Sequence, residues 1–214
     1  ISLAGFYTSY LSVLPDFKQF RFVIHIHFVA FLCWFILIIS QPILIKQRKF
    51  ALHRKLGILS YFLAPVLLIT ILILVYQQVQ REIVLPENSA HVTALIGLLD
   101  AVSFAAYYIV AMVNKRNIRW HVAFIIAATL LVFNPGMARL LNQIEPGLGL
   151  PGAVLFPFMI ALIIILIEKI KWKRPVLKSP YFLFLCLWIL EIVILISLPG
   201  TTFWKNAVTN FMMP

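Results

Sequence analysis

Of the 214 residues, 63% are hydrophobic and 12% charged, and the mean hydropathy is +1.00; such a chain cannot cover its apolar surface with polar groups in water, which excludes a soluble globular domain and requires lipid as solvent. The net charge of +11 sits in short clusters between apolar runs, where it meets lipid headgroups, and no basic soluble face exists that would suit nucleic acid. Cys33 and Cys186 both fall inside apolar runs, which argues against a disulfide or a thiolate metal site.

Residues 1–21, ISLAGFYTSYLSVLPDFKQFR, are rich in aromatic side chains. They read either as an outer-side segment at headgroup depth or as the end of a preceding helix. Six apolar runs follow, at 22–45, 55–78, 91–113, 118–140, 152–172 and 180–199, each near the roughly 20 residues that cross a bilayer as a helix. They are too long and too evenly apolar for the alternating strands of a membrane barrel. The expected fold is therefore all-α: a polytopic bundle of six spans over residues 22–199, followed by an outer-side tail at 200–214. Pro42, Pro65, Pro135 and Pro157 fall within or near the ends of runs, and the Gly- and Pro-rich stretch NQIEPGLGLPG reads as a turn.

Loop charge sets the orientation. The first, third and fifth loops carry Lys46, Arg48, Lys49, Arg54 and Lys55, then Lys115, Arg116 and Arg119, then Lys169, Lys171, Lys173, Arg174 and Lys178. The opposite side has only Lys18, Arg21, Arg81, Arg139 and Lys205. The richer side is expected in the cytoplasm of a bacterial inner membrane, with both ends of the sequence outside.

Ionisable groups at membrane depth are costly and mark candidates for function. His27 lies about 7 Å into the first span at 1.5 Å per residue, and His91 opens the third span from the same outer side. His53 opens the second span and His121 the fourth, both from the inner side. A lone interfacial histidine is ordinarily an amphipathic residue among headgroups. Two layers of two, on alternate helices, suit bis-histidine ligation of haem b, which takes facing imidazoles from different helices. Gly57, Ser60 and Ala64 follow His53 at helical spacing and offer a smooth stripe to a flat ring. Arg54, Lys55 and Arg119 are placed for inner propionates, and Arg81 or Arg139 for outer ones. His25 and His27 lie about 200° apart around a helix, so one ion cannot take both; His27, which shares heptad spacing with Trp34 and Gln41, is expected to face inward.

Asp100, with Ser103 and Tyr107 on one helical face, Glu191 in the sixth span, and Arg139 with Asn134 in the fourth are further intramembrane polar candidates. They suit either a proton or substrate path or internal pairing. No nucleotide-binding, zinc-protease or serine-hydrolase motif occurs.

The stretches HIHFVAFLCWFILIISQPILI, LHRKLG and RWHVAFIIAATLLVFNPGMARLL resemble a family of uncharacterised bacterial membrane proteins with an H-x-H, a Trp and a Gln on one helix and an HRxLG opening the next. That resemblance covers residues 1–141 and implies a multi-helix membrane protein, in some members with a further helix ahead of the first, which here would be a seventh span before residue 1. FALHRKLG also resembles, more distantly, the LHSWLG segment of the cytochrome b561 group, in which histidines on alternate helices of a four-helix core hold two haems. It implies His53 as a ligand, with His27, His91 and His121 matching in order and layering. HRK replaces HSW here, and His91 sits at a helix edge.

The leading expectation is a haem-b electron carrier passing electrons between a quinone pool and an outer-side acceptor, with His53 and His121 on one iron and His27 and His91 on the other. The alternatives are a non-catalytic subunit or assembly partner of a larger membrane complex, and a small proton- or ion-coupled transporter using Asp100, Glu191 and Arg139.

Overall fold

A computed structural model describes residues 2–7, 10–13, 20–85 and 89–212; Lys18 lies outside them. Among the described residues every regular element is helical: α1 (Ser2–Tyr7), a 3-10 turn (Leu11–Val13), α2 (Phe22–Lys46), α3 (Phe50–Gly57), α4 (Ser60–Glu82), α5 (Ala90–Val113), α6 (Ile118–Ile144), α7 (Gly149–Trp172), a second 3-10 turn (Val176–Lys178), α8 (Pro180–Ser197) and α9 (Thr202–Met212). With α3 and α4 taken together as Phe50–Glu82, six segments are long and apolar enough to cross a membrane. The protein is a multi-pass helical membrane protein.

The chain divides into two compact units, one of residues 18–101 and the other of residues 1–17 with 102–213. In the first, α2 packs along α4 and against α3. Trp34 and Leu67 are completely enclosed there. The α2–α3 corner turns on Arg48, whose φ of 58° is left-handed, and closes with the Lys49 N–H on the Leu44 carbonyl at 2.8 Å. The start of α5 lies close on α4: a Cβ at Gly97 would come within 2.3 Å of a Val75 methyl. Ile36, Ile39, Phe62 and Ile69 stay exposed, as expected of side chains whose solvent is lipid.

In the second unit α6 is the central element, with α1, α7 and α8 packed on it. Its buried face is rich in small residues, Ala123, Ala127 and Ala128 beside Phe124 and Leu131, which lets neighbouring backbones approach closely. The closest approach is to α1, where a Cβ at Gly5 would stand 1.8 Å from the Gly136 carbonyl oxygen. Trp188 ties α8 to α7 by donating its indole N–H to the Val154 carbonyl at 2.9 Å.

Helices run past the apolar runs. α4 continues to Glu82, supported by Gln78 on Glu82 at 2.6 Å and Gln80 on Tyr76 at 2.7 Å, both at i, i+4 spacing. The 33 residues of Phe50–Glu82 measure about 50 Å along a helix, well beyond a hydrocarbon core of about 30 Å. α6 extends to Ile144 and α7 begins at Gly149, so the expected turn shrinks to residues 145–148. Asn142 builds that turn by accepting the N–H groups of Gly147 and Gly149; Gly147 takes a φ of 93°. The expected tail at 200–214 contains α9, opened by Thr201, whose hydroxyl accepts the Trp204 N–H at 3.2 Å.

Candidate functional site

In the unit of residues 18–101, His27 reaches across from α2 to α4. Its Nδ1 lies 2.8 Å from the Thr70 hydroxyl. Thr70 is nearly fully buried and gives its one hydroxyl proton back to its own helix, at 2.7 Å from the Val66 carbonyl and 2.9 Å from that of Leu67. With that proton on its own helix, the hydroxyl oxygen is open to an N–H from His27 in the tautomer protonated at Nδ1. His25 instead meets the edge of the Phe20 ring, 6.3 Å between centroids. The heptad face that begins at His27 continues through enclosed Trp34 to Gln41, both of whose amide atoms are buried with no hydrogen-bond partner among the described residues. Leaving such groups unmet costs on the order of 1–3 kcal/mol each.

His53 is the fourth residue of α3, and its Nδ1 is buried with no hydrogen-bond partner among the described residues. Arg54 beside it is exposed. Along the stripe that follows, Gly57 has open space where a Cβ would stand, while Ser60 and Ala64 are buried, Ser60 donating to the Gly57 carbonyl at 2.7 Å. His91 is the second residue of α5 and half-buried, and Asp100 lies further along the same helix.

In the other unit, His121 stands in the first turn of α6 with Nδ1 2.9 Å from the Ala111 carbonyl. A carbonyl only accepts, so Nδ1 carries the proton here. Ala111 is in the last turn of α5, whose final carbonyls lack intrahelical partners, and the imidazole caps one of them. His53 and His121, expected to share an iron, belong to different units.

Glu191 of α8 receives two hydroxyls of α5 on a single oxygen: Ser103 donates to Oε1 at 2.7 Å, and Tyr107 donates to the same atom. Ser103 and Tyr107 are buried. The Tyr107 ring is held edge-on by Phe184 at 5.5 Å and tilted against Phe124 at 5.8 Å. Of the face Asp100, Ser103 and Tyr107 expected from helical spacing, Ser103 and Tyr107 have Glu191 as their counterpart. Arg139 lies with its guanidinium 4.6 Å from the centre of the Phe6 ring, so its described contact is aromatic rather than an acid. Asn134 is buried, its Oδ1 with no hydrogen-bond partner among the described residues.

Sequence reasoning missed Glu168. It is buried near the end of α7 and takes Arg119 of α6 at 3.0 Å and Arg174 at 3.2 Å, both on Oε1. The backbone explains the reach of Arg174: Lys173 adopts a left-handed φ of 50° and the Arg174 N–H returns to the Glu168 carbonyl at 3.2 Å, the reversal that commonly ends a helix. The signal was present, since Glu168 is the one acid within the loop stretches that carry the cations.

Haem iron takes the lone pair of a neutral imidazole whose other N–H is held by an acceptor, which fixes tautomer and ring orientation. His121 meets that requirement, and His27 meets it in the tautomer protonated at Nδ1; among the described residues the Nδ1 of His53 has no such acceptor. Among the described residues no cluster of three or more His, Cys, Asp or Glu side chains is disposed to hold a metal ion by itself, so a ligated iron would need the further ligands of a macrocycle. The class defined by fold and composition is a multi-pass membrane protein with polar side chains fixed at several points inside its spans. No protein-family model, curated protein or solved structure matches the chain.

Proposed function

We propose that the chain is a haem-b electron carrier of the membrane. His27, with His91 in the same unit, serves an iron near the outer surface, and His121 serves a second one. The reading is supported by one observation above all: the His121 Nδ1 lies 2.9 Å from the Ala111 carbonyl, which can only accept, so the neutral ring keeps its lone pair on Nε2, the nitrogen that iron takes. When bound, haem supplies the one-electron couple. The chain's part is to hold and orient imidazoles and to surround them with apolar side chains, which control solvent access and hence potential. A lipid-soluble quinone is the proposed electron donor, since it reaches the spans through the bilayer, and a bacterial inner membrane is the proposed location.

Haem content by the pyridine haemochrome assay tests the reading on purified protein. His27→Ala and His121→Ala should each lose about half of the bound haem while keeping the helical circular dichroism of the parent. Parental haem content in both variants would overturn the assignment.

A further inference from the structure

We propose that Glu191 is a proton-binding site within the bilayer, its proton carried on Oε2 while Ser103 and Tyr107 hold Oε1. The proposal is independent of haem. It starts from the asymmetry of the carboxyl group: both hydroxyl donors meet Oε1. An oxygen that already accepts two hydrogen bonds has no room for a proton of its own, so an added proton goes to Oε2. The two bonds then serve both charge states. In the ionised group they solvate the carboxylate; in the neutral acid the same two donors remain on the carbonyl oxygen. Proton gain and loss therefore require no donor to move, which is the sense in which a site is organised in advance. A purely structural role would be met as well by glutamine, which offers the same Oε1.

The surroundings suit exchange rather than permanent pairing. Glu191 is half-buried, and its neighbours Leu190 and Val193 are exposed on the lipid-facing surface of α8. It lies six residues before the end of α8 at Ser197, about 9 Å along the helix. Tyr107 is the titratable side chain that bonds it from α5, and Asp100 lies seven residues earlier on that helix. On α6, Arg139 is engaged over Phe6 and Arg119 is paired with Glu168 of α7, while His121 caps the end of α5.

The lipid-soluble reagent dicyclohexylcarbodiimide reports on such a group, because it reacts with the protonated acid. The acid proton passes to a carbodiimide nitrogen, the carboxyl oxygen bonds to the central carbon, and an oxygen-to-nitrogen acyl shift leaves a stable N-acylurea. The full chain in detergent should gain one such adduct on the peptide containing Glu191, read by mass spectrometry. The rate should fall about tenfold per pH unit once the group is mainly ionised. Glu191→Gln should abolish the adduct without loss of helicity. Tyr107→Phe removes a donor from the carboxylate and should raise labelling at alkaline pH severalfold. Glu191 remaining unmodified across the pH range would overturn the proposal. Protection by sodium ions at constant pH would also overturn it, showing a metal cation to be the ligand. A Tyr107→Phe profile identical to the parent's would remove the role given to the paired hydroxyls.

Discussion

The His27 Nδ1 lies 2.8 Å from the hydroxyl of Thr70, so that one helix orients an imidazole carried by another. The Thr70 hydroxyl also lies 2.7 and 2.9 Å from the Val66 and Leu67 carbonyls of its own helix, and a proton given there leaves the oxygen to accept from His27. Partners of this kind typically change metal affinity 10–100-fold when removed. Thr70→Val, which keeps the shape and removes the acceptor, should weaken haem binding at the His27 site by about that factor, and Thr70→Ser should restore it. Haem titration of the stripped protein measures both; equal affinity in Val and Ser variants would contradict the account.

Glu168 gathers Arg119 and Arg174 at the cation-rich end of α6 and α7. The carboxylate is nearly enclosed, whereas the arginine side chains are 37% and 40% exposed, so solvent already weakens each pair. Glu168→Gln removes the common partner of both and should destabilise the protein by about 1–3 kcal/mol. Arg174→Ala, leaving Arg119 in place, should cost less. Thermal unfolding in detergent checks the order, and a larger effect from Arg174→Ala would refute it.

Gly5 meets the backbone of α6 at Gly136, and there the obstacle to a side chain is a carbonyl oxygen that cannot rotate away. Gly5→Ala is expected to release α1 from α6 while the spans stay folded. Limited proteolysis should then cut ahead of Phe22 faster than in the parent, at unchanged melting temperature. Gly97→Ala faces side-chain methyls of Val75 instead and should be accommodated at a cost of about 1–3 kcal/mol.

Loop charge predicts the orientation. In a background lacking Cys33 and Cys186, Glu145→Cys, at an exposed position of the α6–α7 turn, should react in intact cells with a maleimide that cannot cross membranes, and Lys173→Cys should react only after the cells are opened. The reverse pattern would invert the topology.

The six spans were legible because a run of about 20 apolar residues has few other solutions. Their ends were less so. Hydropathy marks where lipid stops, whereas α4 goes on to Glu82 through side-chain pairs in its polar last turns, and α6 goes on until Asn142 and Gly147 turn the chain. α9 was missed because 11 residues are too few to read as a span. Spacing put Ser103 and Tyr107 on one face, but which helix supplies Glu191 to them is a matter of tertiary packing. Glu168 was passed over because its neighbours in sequence are cations, while the arginine from α6 that binds it is 49 positions away.

The central claim is that imidazoles of this chain hold haem iron, and the most direct measurement is an absorption spectrum of the detergent-purified protein, expressed with an adequate haem supply, recorded oxidised and then after dithionite. A Soret band that sharpens and shifts on reduction, with a distinct α band of six-coordinate haem b, is the predicted result. A spectrum showing only the aromatic absorption of the polypeptide in both states would contradict the claim.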